Sequence, residues 1–66
     1  MKNNSILTTF QISQFCNVNI STVIHWINTS KLKAYRTPGG HRRVSKENFI
    51  EFLKQYSMPI PPVFKE

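Results

Sequence analysis

Sixty-six residues of 7.7 kDa make one small domain, and a hydrophobic content of 39% lets it fold with little stability in reserve. Nine Lys+Arg against three Asp+Glu leave a formal charge of +6 and a pI near 10.0, which points to an anionic partner, nucleic acid ahead of an anionic membrane surface. The inventory argues against a disulfide framework or zinc site (one cysteine, Cys16), a membrane span (no apolar run near the roughly 18 residues required), and a hydrolytic centre (three carboxylates, Glu47, Glu51 and Glu66, none within 20 residues of His25).

The lack of disulfides in so small a chain fits a reducing cytosol, and Met1-Lys2-Asn3-Asn4-Ser5 leads into no signal-peptide core. The expectation is therefore a cytoplasmic, non-enzymatic protein without catalytic residues, metal, cofactor, membrane contact or small-molecule ligand.

In chain order, residues 1–6 read as a polar, frayed start. Thr8 is an N-cap, with Gln11 placed to complete a capping box. The first helix runs from about Thr9 to Phe15 and buries Ile12 and Phe15. Cys16-Asn17-Val18 is a short turn with Val18 inward and Cys16 a small buried apolar residue. Asn19 then caps a second helix through its side-chain oxygen. From Ile20 to about Thr29, Ile20, Val23, Trp26 and Ile27 gather on one side, while Ser21, Thr22, His25, Asn28 and Thr29 take the other. Ile24 sits at the rim. That polar side carries no acid.

Lys31 to Arg36 alternates basic with apolar and reads as a strand. Thr37-Pro38-Gly39-Gly40 is a turn, and His41-Arg42-Arg43-Val44 returns as the second strand of a hairpin. Ser45 caps a third helix with Glu47 in its first turn, and Phe49, Phe52, Leu53 and Tyr56 form its buried stripe. Met58 to Pro62 reads as a stiff, extended tail or linker, which divides the chain into a domain over 1–57 and a Pro-rich tail over 58–66.

Six of the nine basic residues (Lys31, Lys33, Arg36, Arg42, Arg43, Lys46) lie in the window 31–46, which holds no acid. One reading is a solvated basic loop. The alternative is functional: a basic ribbon grips phosphates beside a helix face of short donors aimed at base edges, the usual division between positioning and readout. Helix, three-residue turn and helix is a helix-turn-helix, whose second helix enters the major groove, and the hairpin after it is a wing. Trp26 and Phe10, Phe15, Phe49 and Phe52 read as core, with partial exposure open at Phe10. Gly39-Gly40 reads as a turn without P-loop context.

These residues also carry a resemblance. Leu7-Thr8, Ile12-Ser13, Val18-Asn19, Ser21-Thr22-Val23 and Trp26 resemble the helix-turn-helix of the MerR-like superfamily, and Arg36-Thr37-Pro38-Gly39-Gly40-His41-Arg42-Arg43-Val44 resembles its wing, closest to the small excisionase and BldC-like branch. The resemblance spans about residues 6–54 and implies a mainly α fold, a three-helix winged helix-turn-helix with a two-stranded hairpin wing, bound to duplex DNA. It also implies self-association on tandem or paired half-sites, and it admits this chain as the N-terminal module of a longer response-regulator-type protein. Two positions depart from the pattern. Ser30 stands where Gly commonly closes the second helix, so either Ser takes the left-handed conformation or the helix ends differently. His25 stands where Arg is frequent.

The resulting expectation is a transcription regulator that binds double-stranded DNA sequence-specifically. Ser21, Ile24, His25 and Asn28 read base edges, and Thr22 lies at the groove edge or on a phosphate. Lys33, Arg36, Arg42 and Arg43 hold phosphates, with Lys31, Thr37 and His41 in support. The pleat sends Arg42 and Arg43 to opposite faces, so one grips DNA while the other leans toward the third helix and pairs with Glu47 or Glu51. The rival readings are an excisionase that bends DNA for recombination and a protein-interaction module that docks through the wing.

Overall fold

The computed structural model describes residues 6–64. Its elements in order are β1 (Ile6–Thr8), α1 (Thr9–Cys16), α2 (Ile20–Asn28), β2 (Tyr35–Arg36), β3 (Arg42–Ser45), α3 (Lys46–Gln55) and a closing 3₁₀ turn (Pro62–Phe64). Three helices pack with one antiparallel sheet of strand order β1-β3-β2, the arrangement of a winged helix-turn-helix.

The capping box forms as its spacing predicts. The Thr8 hydroxyl accepts from the Gln11 amide at 3.1 Å, and the Thr8 amide donates to Gln11 Oε1 at 2.9 Å. The frayed start expected over 1–6 lies outside the described residues except at Ile6, which belongs to a strand instead. β1 places Leu7 opposite Val44, and both side chains are buried. Three residues are too few to show a period of two, so this strand is defined by its partner.

All three helices close in the same way. The residue after each cap or at it turns left-handed (Asn17 φ 57°, Ser30 φ 64°, Ser57 φ 57°), and the following amide reaches back five residues in the Schellman pattern. Val18 N donates to Ser13 O at 3.0 Å, Lys31 N to Trp26 O at 2.9 Å, and Met58 N to Leu53 O at 2.8 Å. Ser30 therefore does take the conformation usually given to Gly. The chain's two glycines are both spent in the wing, where Gly40 holds φ 85°.

That closure also corrects the strand expected over Lys31–Arg36. The amides of Lys31 and Leu32 both donate to Trp26 O (2.9 and 3.2 Å), so neither is free for a ladder, and pairing begins only at Tyr35. Asn19 corrects a second expectation. It occupies the N-cap of α2, but its side chain makes no capping bond; its backbone carbonyl accepts from Thr22 and Val23 instead.

The core comprises Leu7, Ile12, Val23, Leu32, Val44, Phe49, Phe52, Leu53 and Phe64. Ser13 is buried among helices, with its hydroxyl donating to Phe10 O at 2.7 Å. Trp26 is half-buried against Phe52, ring centroids 4.9 Å apart. Phe10, Phe15, Ile20 and Tyr56 lie less deep than their helical periods suggest, with 59%, 39%, 42% and 42% exposure. Each sits in the first or last turn of a helix or just past it, where one flank faces no neighbouring element. Burial pushes the Cys16 thiol up from its ordinary pKa, which keeps it neutral.

The tail is the largest departure. Residues 58–64 do not extend away: Met58 and Ile60 are half-buried against the core, and Phe64 is 7% exposed. The Phe64 ring lies 5.0 Å from Phe15 and 5.7 Å from Phe49, edge-on to both. Phe64 thus covers apolar surface left by the short α1 and by α3, with Met58 and Ile60 packed against the same core. The prolines turn the chain back, and Phe64 N donates to Pro61 O at 2.9 Å.

Candidate nucleic-acid interface

α2 buries Val23 completely and leaves Ser21, His25 and Asn28 exposed, with Thr22 and Ile24 half-buried along the same helix. Its amphipathic period thus presents a polar face with no carboxylate. Thr29 ends that face but is already engaged, its hydroxyl donating to His25 O at 2.8 Å.

The wing is held by its tip. Gly40 N donates to Thr37 O at 2.8 Å, Thr37 N to His41 O at 2.9 Å, and His41 N to the Thr37 hydroxyl at 3.3 Å. Thr37 is thereby a brace of the turn, and the His41 ring packs over Gly39, where an added Cβ would meet it at 3.4 Å. Lys31, Lys33, Arg36 and His41 are exposed, whereas Arg42 and Arg43 are half-buried.

Register and pleat sort the arginines. β3 pairs Arg42 with Arg36 and Arg43 with Tyr35 and Thr8. Val44 points into the core, so Arg42 and Arg36 share its side of the sheet and Arg43 takes the other. Two guanidinium groups directly opposite across a ladder repel each other and cost about 0.2–1 kcal/mol in the free protein. Arg42 leans toward α2, where its guanidinium donates to Asn28 Oδ1 at 3.5 Å. Arg43 donates to the Arg42 carbonyl at 3.0 Å. The arginine hydrogen bonds thus go to Asn28 and to the backbone, and the expected pairing with Glu47 or Glu51 gives way to them. Like-charge repulsion from Arg36 and the side of the sheet on which Arg42 stands explain its direction.

The structure therefore brings the polar face of α2 and the Arg36–Arg42 pair together through Asn28. Arg43 stands on the opposite side of the sheet, beside an exposed residue that the sequence reading passed over. Tyr35 is 50% exposed and stands opposite Arg43 in the ladder, which adds a phenolic donor to that side of the sheet. The available signal was its place in the alternation, out of step with Leu32 and Ala34.

Among the described residues no group of three or more His, Cys, Asp or Glu is gathered to hold a metal ion. No helix among them is long and apolar enough to cross a membrane. A family model described as a helix-turn-helix domain matches residues 6–57. Comparison with curated proteins gives no match. The matched segment covers well over half of the chain and contains α1, its left-handed turn at Asn17, α2 and the sheet, so this chain belongs to the helix-turn-helix domain family, the DNA-binding architecture its basic hairpin and acid-free helix suggest.

Proposed function

We propose that this chain binds double-stranded DNA sequence-specifically as the DNA-binding domain of a transcription regulator of the MerR-like type, small excisionase and BldC-like branch. α2 enters the major groove with Ser21, Ile24, His25 and Asn28 toward base edges and Thr22 at the groove edge. Lys31, Lys33, Arg36, Arg42 and Arg43 hold flanking phosphates, with Tyr35 and His41 in support.

The observation that carries this reading is the Arg36–Arg42 pair, set directly opposite in the ladder and adjoining the acid-free face of α2 through Asn28. A repulsive pair is retained where an anion relieves it, and a phosphate does so with charge-assisted hydrogen bonds. Five cationic contacts give a slope of log K against log salt of about −4 to −5. Titration of random-sequence duplex DNA at several salt concentrations measures it. A slope near zero would remove the nucleic-acid reading and favour a protein-docking wing.

The wing string from Arg36 to Arg43 supports a second reading, an architectural protein that bends DNA for recombination. Circular-permutation mobility shifts separate the two: a position-dependent shift marks bending, and uniform mobility favours the regulator.

A further inference from the structure

Nearly all side-chain hydrogen bonds among the described residues are local, spanning four positions or fewer; the bond from Arg42 to Asn28 joins residues 14 apart and ties the wing to the helix of the turn. Its chemistry is one-sided. A guanidinium has only donors, so the oxygen of the Asn28 amide must face Arg42, and the Nδ2 group is what remains for a ligand. The direction is consistent with the sheet: the pleat puts Arg42 on the face that looks toward the helices, with the like charge of Arg36 directly opposite.

We infer that Arg42 is a positioning residue that sets the base preference of Asn28, making it a donor that favours guanine over adenine. This rests on the DNA-binding reading above. An asparagine with both amide groups free pairs with adenine by donating to N7 and accepting from the N6 amino group. With Oδ1 turned toward Arg42 and one of its two lone pairs engaged there, the acceptor half of that contact is weakened. The Nδ2 donors still satisfy guanine, whose major-groove edge carries two acceptors, N7 and O6. The remaining N–H groups of Arg42 stay available for a phosphate, so one side chain connects backbone anchoring to base choice.

The experiment selects a preferred site for the full chain from a random duplex pool, then measures affinity for every single base-pair substitution in it. The panel is run for the parent, Asn28→Ala, Arg42→Ala and the double variant, each with a thermal melt. Asn28→Ala identifies the base pair that Asn28 reads. At that pair Arg42→Ala shifts the guanine-to-adenine preference toward adenine by about tenfold. In the Asn28→Ala background the same Arg42→Ala change lowers affinity evenly and leaves preference unmoved. An even loss on all duplexes in both backgrounds overturns the coupling while leaving DNA binding intact. An Asn28→Ala variant that keeps the parent's preference everywhere overturns it as well. Absence of salt-sensitive duplex binding by the parent overturns the DNA reading itself.

Discussion

The end of α2 offers a quantitative test of the backbone. Ser30 holds φ 64°, and a side chain in the left-handed region costs about 1–2 kcal/mol because Cβ crowds the following carbonyl oxygen. Replacing Ser30 with Gly removes that cost but adds back about 0.5–1 kcal/mol of chain entropy lost on folding. The net gain is about 0.5–1 kcal/mol, or roughly 2–8 °C in melting temperature for a domain this small. The three closing bonds, Ser30 N to Ile27 O at 3.1 Å and the Lys31 and Leu32 amides to Trp26 O, require only backbone and survive the change. Ser30 is exposed, so no packing is forfeited. Circular dichroism melts of the parent and Ser30→Gly measure the effect, and Asn17→Gly is the comparison, with a smaller gain because Asn tolerates this conformation better. Duplex affinity should not move, since the polar face of α2 is untouched. A melting temperature at or below the parent's would refute the strain argument and show that Gly entropy outweighs the relief of Cβ.

Three further outcomes follow from the packing and the charge layout. Phe64→Ala removes a ring wedged between Phe15 and Phe49 and should cost about 3 kcal/mol, the low end for Phe to Ala because the three-residue turn that carries it relaxes more readily than a helix. A melt unchanged by that substitution would return the tail to a linker role. His25→Ala lies on the exposed side of α2 and should alter base preference at one or two positions by about 1–3 kcal/mol without lowering the melt; an even loss across all duplexes would place His25 on the backbone instead. Arg36→Ala relieves the repulsion with Arg42, so stability should hold or rise by a few tenths of a kcal/mol while the salt slope flattens by about one unit. Lower stability at an unchanged salt slope would make Arg36 a structural residue.

Local rules were readable wherever a residue's role depends on neighbours within one turn. The Thr8–Gln11 capping box, the Ser45 cap, the amphipathic period of α2 and the Pro38-Gly39-Gly40 turn all involve interactions over four residues or fewer. The acid-free basic window needed no fold at all, because charge composition survives any arrangement of the chain. The left-handed end of α2 was open from the sequence, since Ser pays a cost that only the surrounding closure makes acceptable.

Contacts between distant segments were settled by tertiary structure. β1 is three residues long and exists because Leu7 finds Val44 some 37 positions on, a partnership no short window displays. Lys31 to Ala34 has the alternation of a strand but loses its amides to the end of α2, so a competing hydrogen-bond acceptor overrode periodicity. Phe64 packs because the first and third helices leave a gap between Phe15 and Phe49, whereas the prolines before it suggest extension when read alone. The same holds at the interface. Composition placed arginines in the wing, but the strand register decided that Arg42 faces Arg36, and the fold set Asn28 within reach of it. Side-chain direction in a pleated strand alternates with every residue, so a one-residue change in where pairing begins would exchange the roles of Arg42 and Arg43.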